Sequence, residues 1–376
     1  MSISRMPVRL ARGILLHTDS ESVKGIEMIL KIKKAVCILI LAAIVPSLVS
    51  CGNKKKKFTS EAFGYFDTVT TIVGYETDES EFKSTEQLIY SRLESLHAQY
   101  DIYKDHDGVS GLYRVNSIVD GKHPTVTVSE ELMSMLEFSK EAYELTDGEA
   151  NIAMGSVTSL WHTARENSES GNAAVPDLQE LIAAAKSTDI NALVLDRTNM
   201  TVCITDPEVT LDVGAIAKGY AVELVARELE KMGKTGYILN VGGNVRTVGS
   251  NPDGESFIAG ISDPDNEKEE AVLVRLGSEA LVTSGSYQRY FTVDGKRYHH
   301  IIDKDTLLPS AYFTSVTVLA ADSGLADALS TALFSMPLED GKRLVNTVEG
   351  VEAFWITTDG EHHCSQGFAE RIVSNS

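Results

Sequence analysis

Apolar residues recur along this chain in two rhythms, and the switch between them predicts the elements. Phe66 to Tyr75, Tyr237 to Val241, Phe257 to Ile261, Ala271 to Leu276, Ala280 to Thr283 and Thr314 to Ala320 are short β-rich runs and read as strands. Longer stretches instead repeat apolar residues every three and four positions, the period of a helix. Thr85 to Gln99 places Ile89, Leu93 and Leu96 on one face, with Ser84 as N-cap; Ser129 caps a second helix that buries Leu132, Met135, Leu136 and Tyr143. Ser323 to Met336 turns Leu325, Leu329, Ala332, Leu333 and Met336 inward. Residues 163–191 form a polar helical hairpin, and Asp294-Gly295 is a strong two-residue turn signal. Strands come in clustered runs rather than in strict alternation with helices, which points to one α+β domain of mixed sheets flanked by helices, from about 59 to 376.

The densest stretch runs from Leu211 to Val245. Val209 to Val213 reads as a strand with Asp212 near its end, Gly214 and Ala215 as a turn, and Lys218 as part of the opening turn of a helix. Val222, Val225, Leu229 and Met232 stripe that helix, Gly233 ends it, and Gly242, Gly243 and Asn244 form a polar turn after the next strand. Free amides at such a helix start suit phosphate. Neither Gly-rich nucleotide signature is present, however, and a strand-Gly-helix unit by itself is ordinary packing.

Composition adds bounds. The chain has 376 residues, 43% of them apolar, and a net charge of −20; its first fifty residues are net +4, leaving −24 on the remainder. Such acidity argues against nucleic acid as a partner. Lys31, Lys33 and Lys34 precede an apolar run from Ala35 to Val45, and Leu48-Val49-Ser50-Cys51 resembles a lipobox. The expectation is therefore translation from Met28 with residues 1–27 an upstream extension, a lipoprotein signal peptide over 28–50, acylation of Cys51 (palmitate), and a Lys-rich tether over 51–58. An uncleaved signal anchor is the alternative. Lys54 to Lys57 would favour an anionic membrane surface, and the location would be extracytoplasmic and lipid-anchored. Only Cys203 and Cys364 then remain for the folded part, too few for a disulfide framework or a metal cluster, and Cys203 reads as a buried strand thiol.

Asp212 to Glu223 resembles D-x-G-G-I-A-K-G-Y-A-x-D, the signature of the FAD:protein FMN transferases, the ApbE family of flavin transferases. Ala215 stands for a common Gly and Glu223 for a common Asp. Phe66-Asp67-Thr68 occupies the place of Met-Gly-Thr, and Tyr100 to Asn116 resembles the loop S-x-Y/W-x-x-x-S-x-L-x-x-[IV]-N. Thr146 to Val157 is similar to T-x-G-A-F-D-I-T-x-G-P-L, with Asn151 for Asp and Ser156 for Pro. The run from Thr283 to Asp303 and the heptapeptide Ala326 to Ala332 also match, whereas Leu307 replaces the Gly of a following P-x-T-G-x-P.

The resemblance implies a T-fold-related domain with FAD as substrate in a cleft. FMN would pass from FAD through a phosphoester bond onto a Thr or Ser of an acceptor flavoprotein, with AMP leaving. Mg²⁺ would be held by the Ala215 carbonyl, Asp327 and Thr331, and His300 would take the proton. Phe66, Tyr103, Glu149, Ala150, Asn151, Asp212, Lys218 and Ile302 would contact the cofactor, Tyr103 lying against the flavin. The acceptor would be a subunit of a membrane electron-transport complex of the Na⁺-pumping NADH:quinone or Rnf type. FAD hydrolysis to FMN and AMP, a flavin-carrying lipoprotein, and a two-lobed solute-binding lipoprotein are the alternatives. By spacing alone, Asp327 and Thr331 are a solvated pair one helical turn apart, and His106 is an exposed loop residue rather than a ligand.

Overall fold

Side chains on successive strand residues point to opposite faces, so a strand between two apolar layers must be apolar throughout. That is how the central sheet is built in a computed structural model of the chain, which describes residues 54–266 and 269–373. The described residues from Lys55 onward form one compact unit. Its main sheet runs in the order Lys56–Tyr65, Thr68–Glu76, Tyr237–Val241, Asn244–Val248, Ala280–Gly285, Phe313–Ala320, Glu352–Thr357 and His362–Cys364, with antiparallel ladders throughout. Leu239, Val282, Val318 and Trp355 face a core shared with the helices Glu79–Tyr100, Ala217–Lys231 and Ser323–Phe334. Their neighbours Ile238, Leu281, Leu319 and Phe354 face the other way, under the hairpin Phe257–Ser262/Glu270–Leu276 and the helix Gln366–Arg371. A third cluster packs the helix Gly155–Glu169 against the hairpin Tyr290–Val293/Lys296–His299 through Trp161, Phe291 and Leu307.

The α+β class stands as expected, with local differences that have physical causes. The first helix starts at Glu79 rather than Thr85: Asp78 caps it by accepting from the amides of Ser80 and Glu81, while Ser84 bonds back to the Ser80 carbonyl inside the helix. Ser129 caps the helix Glu130–Leu145 through the Leu132 amide, and Gly233, at φ +73°, ends the helix Ala217–Lys231. Met232 leaves the expected buried stripe and is exposed, because it sits at the C-cap where the helix face turns to solvent. Val209 to Val213 is extended but is not a ladder strand: the Asn116 side chain takes both backbone groups of Leu211, and the Asp212 amide bonds the Ile152 carbonyl at 2.7 Å. Gly242 and Gly243, both at positive φ, make the turn without Asn244, which is the first, buried residue of the next strand.

The first sheet strand begins at Lys56, inside the stretch read as a tether. The upstream extension, the signal peptide and Cys51 lie outside the described residues. Among the described residues no helix is long and apolar enough to cross a membrane. Cys203 and Cys364 are free thiols, and Cys203 is half-buried rather than buried.

Candidate active site

The central helix Ala217–Lys231 and the helix Ser323–Phe334 touch at Gly219, and only a glycine allows the approach. A Cβ there would fall 2.5 Å from Asp327 Cβ and closer still to the Ser323 carbonyl oxygen. The contact delivers the Gly219 N–H to Asp327 Oδ2 at 2.8 Å, and Lys218 Nζ reaches the same oxygen at 3.5 Å. Asp327 is therefore 3% exposed, not part of a solvated pair. One turn further, Glu223 accepts from Arg246 Nε, Arg227 Nε and the Ser323 N–H, each at 2.9 Å, and so pins the start of the Asp327 helix to the central helix. Burial alone would raise the Glu223 pKa, but the Arg246 guanidinium and these other bonds hold it below the usual range.

These contacts revise the reading of the helix start as a row of free amides. The Ala217 N–H bonds the Val213 carbonyl and the Gly219 N–H bonds Asp327, so the cation near any anion here is Lys218, whose ammonium also bonds the Gly214 carbonyl at 3.0 Å. An ammonium has three hydrogens, and one remains for a ligand. Asp212 shapes the turn before the helix: Oδ1 accepts from the Gly214 N–H at 2.9 Å and Oδ2 from the Thr158 hydroxyl at 2.7 Å. Thr331 lies one turn beyond Asp327 with its hydroxyl 3.4 Å from that of Ser284, and Ala215 is half-buried in the turn. The buried Asp327 carboxylate, the Thr331 hydroxyl one turn away and the Ala215 carbonyl are all oxygen donors, the chemistry that a hard cation such as Mg²⁺ would take.

His300 keeps a solvent-exposed edge, and its Nδ1–H donates to the Arg289 carbonyl at 3.3 Å, which leaves Nε2 as the acceptor nitrogen. Surrounding protein, followed by the charges of Arg289 and Lys218, pushes its pKa well below the usual imidazole range, so the ring is neutral. Arg289 in turn holds the tight turn Phe66-Asp67 through both carbonyls at 3.2 Å. Phe66 and Asp67 have φ of 53° and 52°, so this chain makes without glycine the left-handed turn where the motif has Met-Gly.

Tyr103 is 57% exposed and stacks on His162 with ring centroids 4.8 Å apart; Asp212 and Arg289 are close enough to act on its hydroxyl. Glu149, Ala150, Asn151 and Ile302 form a second group. Burial pushes the Glu149 pKa up to about 7 against the pull of Lys304, whose ammonium lies 3.3 Å away. Ala150 is buried, with its amide on the Thr146 hydroxyl; the Asn151 amide bonds the Thr188 carbonyl and its oxygen accepts from the Ala153 N–H. Ile302 is half-buried and bridges Pro309 across a loop in which Leu307 adopts φ 62°. The loop keeps its left-handed turn without glycine because Leu307 is buried and its carbonyl accepts from Trp161 Nε1 at 3.0 Å. The helix Gly155–Glu169 thus ties the two groups together, Thr158 holding Asp212 and Trp161 holding Leu307.

The sequence reading gave no role to Gly219, Arg289, Thr158 or His162. Arg289 had a visible signal, as the single cation in the matched run from Ser284 to Phe291. His106, read as exposed, is half-buried with Nε2 2.8 Å from Asp101 Oδ2.

Residues 66–355 match the family model described as the ApbE family. The chain belongs to the ApbE family. It is 31% identical over 278 residues to the FAD:protein FMN transferase of Klebsiella pneumoniae, covering 72% of this chain and 84% of that one. With the protein of the same name from Treponema pallidum it shares 29% over 350 residues, 89% of this chain and 94% of that one. Among solved structures, an ApbE protein of Thermotoga maritima superposes with a TM-score of 0.75 at 29% identity, covering 85% of this chain and all (100%) of that one. The flavin transferase ApbE of Vibrio cholerae gives 0.68 at 27%, covering 84% and 100%. This ApbE chain therefore has the family's fold as well as its motifs, with Leu307 and the Phe66-Asp67 turn as local solutions to positions where the family uses glycine.

Proposed function

We propose that this protein is an FAD:protein FMN transferase that joins FMN by a phosphoester bond to a Thr or Ser hydroxyl of an acceptor flavoprotein. The observation that carries the reading is the buried Asp327 carboxylate, held by Gly219 and Lys218 in the neighbourhood of Arg289 and of His300, whose ring bonds the Arg289 carbonyl. The acceptor oxygen bonds to the phosphorus on the FMN side of FAD, the bond from that phosphorus to the bridging oxygen breaks, and AMP leaves with the electron pair. Such chemistry needs mainly positioning and charge neutralisation. The hydroxyl proton passes to His300 Nε2, the nitrogen its bond to the Arg289 carbonyl leaves free. Phosphates arriving beside Arg289 and Lys218 would offset the part of the His300 depression that those two charges cause, the larger part being burial. Mg²⁺ held by Asp327, Thr331 and the Ala215 carbonyl would supply countercharge to the pyrophosphate.

Tyr103 on His162 offers a flat platform for the flavin, with Asp212 beside it, and Phe66, Glu149, Ala150, Asn151 and Ile302 would contact the rest of the FAD. The lipobox ending at Cys51 supports an acyl anchor, and hence an acceptor on the extracytoplasmic side, such as a flavin-bearing subunit of a Na⁺-pumping NADH:quinone or Rnf-type complex. The test is incubation of the full chain with FAD, Mg²⁺ and such a subunit, followed by intact mass and by AMP release. Transfer adds one FMN residue to the acceptor. Release of FMN and AMP without an acceptor would instead identify a hydrolase, and intact bound FAD a carrier.

A further inference from the structure

Beside the flavin platform the chain brings together three groups to which neither the family motifs nor the transfer chemistry gives a role. His97 lies in the last turn of the helix Glu79–Tyr100, Asp101 is its C-cap, and His106 returns from the loop that follows. His106 Nε2 lies 2.8 Å and His97 Nε2 4.0 Å from Asp101 Oδ2, and one ligand atom from each of the three falls within 4.8 Å of the other two. All three are half-buried, so the cluster is partly screened from water while remaining accessible. Tetrahedral zinc at bonds of about 2.0–2.1 Å sets neighbouring donors roughly 3.3–3.5 Å apart. The observed pairs straddle that spacing, so small side-chain rotations would close the set.

We propose that His97, Asp101 and His106 form a binding site for a borderline transition-metal ion, zinc in the first place, separate from the oxygen-only Asp327 site. Two imidazoles and one carboxylate suit such an ion better than Mg²⁺ or Ca²⁺, and with three protein donors a fourth position is left to water. The other carboxylate oxygen gives the site its surroundings. Asp101 Oδ1 accepts from the amides of Tyr103 at 2.7 Å and Lys104 at 3.1 Å, so the ligand carboxylate is already oriented, and it is fixed to the backbone of the flavin-platform residue. On the other side, the Phe66 N–H donates to His97 Nδ1 at 3.3 Å. Coordination through Nε2 requires the ring proton on Nδ1, so metal capture exchanges this bond for the metal bond. The site is thereby coupled to the Phe66-Asp67 turn that Arg289 grips. Bound metal would stiffen the loop carrying Tyr103 and loosen one tie on Phe66.

Calorimetric titration of the EDTA-treated full chain with ZnCl₂, repeated with CoCl₂ for its visible ligand-field bands, tests the assignment. One equivalent should bind, with cobalt bands of a low-coordinate nitrogen and oxygen site. His106→Gln and His97→Gln should each weaken that equivalent by more than about 100-fold, beyond what loss of an outer-shell partner costs. His106 sits on a loop, so His106→Gln keeps the fold, as circular dichroism would verify. Asp327→Ala should retain the zinc equivalent. The proposal is overturned if the full chain binds no zinc, if both His variants bind it unchanged, or if Asp327→Ala is the variant that loses it.

Discussion

Gly219→Ala separates two opposing expectations. By helix propensity alone, replacing a glycine inside the helix Ala217–Lys231 with alanine should stabilise the protein by about 0.5–1 kcal/mol. The structure predicts the reverse. The new methyl would fall 2.5 Å from Asp327 Cβ and within the Ser323 carbonyl, and neither obstacle is the far end of a flexible side chain. Forcing the helices apart costs about 1–3 kcal/mol as overpacking. It also weakens the bond from the Gly219 N–H to a carboxylate that is 3% exposed, a charged hydrogen bond of about 1.5–3 kcal/mol. Net of the propensity gain, the variant should be less stable by about 2–5 kcal/mol and melt roughly 3–7 °C lower. Urea titration and thermal melts followed by circular dichroism, with parent and variant at one pH, measure this. An unchanged or raised melting temperature would refute the helix contact and the Asp327 geometry built on it.

Other perturbations should act in distinguishable ways. Asp327→Ala should abolish Mg²⁺-dependent FMN transfer while leaving much of FAD binding, read by intact mass beside fluorescence titration; transfer at the parent rate would remove Asp327 from the metal site. Tyr103→Ala should weaken FAD binding several-fold with or without Mg²⁺, because a lost ring stack of about 0.5–1.5 kcal/mol does not depend on the ion; unchanged FAD affinity would place the flavin elsewhere. Glu149 has a folded pKa of about 7, raised from an ordinary 4.5, so its stabilising, protonated state is fully present below the unfolded value and is lost as pH rises through 7. Glu149→Gln should therefore raise stability at about pH 8, by roughly 1–2 kcal/mol after solvent screening, and have little effect at about pH 4. Equal changes in melting temperature at the two pH values would contradict the assignment.

The sheet was legible because its cause is local. Ile238 and Leu239, or Leu281 and Val282, are apolar on both sides of the strand because both faces are covered, and Asp294-Gly295 announces its turn through two adjacent residues at positive φ. The helix start at Glu79 was less legible, since Asp78 and Ser84 are both competent caps and Phe82 is the single apolar residue between Glu79 and Ser84. Val209 to Val213 misleads for a related reason: its pattern is that of a strand, but a side chain 95 residues away satisfies the Leu211 backbone. In the site, the residue types came from motif resemblance and their geometry did not. Spacing places Asp327 on a solvated face; it is buried because Gly219, 108 positions earlier, removes the side chain that would have held the helices apart. Leu307 likewise replaces the motif's glycine yet keeps a left-handed turn, because its burial and the bond from Trp161 hold it there, neither of which local sequence announces.

The central claim is that an FMN group leaves FAD and becomes covalently attached to a protein hydroxyl. Intact mass of a purified acceptor subunit, taken after incubation with the full chain, FAD and Mg²⁺ and again with EDTA in place of Mg²⁺, tests it most directly. The account predicts a gain of one FMN residue with release of an equal amount of AMP, both lost with EDTA and with Asp327→Ala. An acceptor of unchanged mass, with FAD bound intact or split to free FMN, would contradict it.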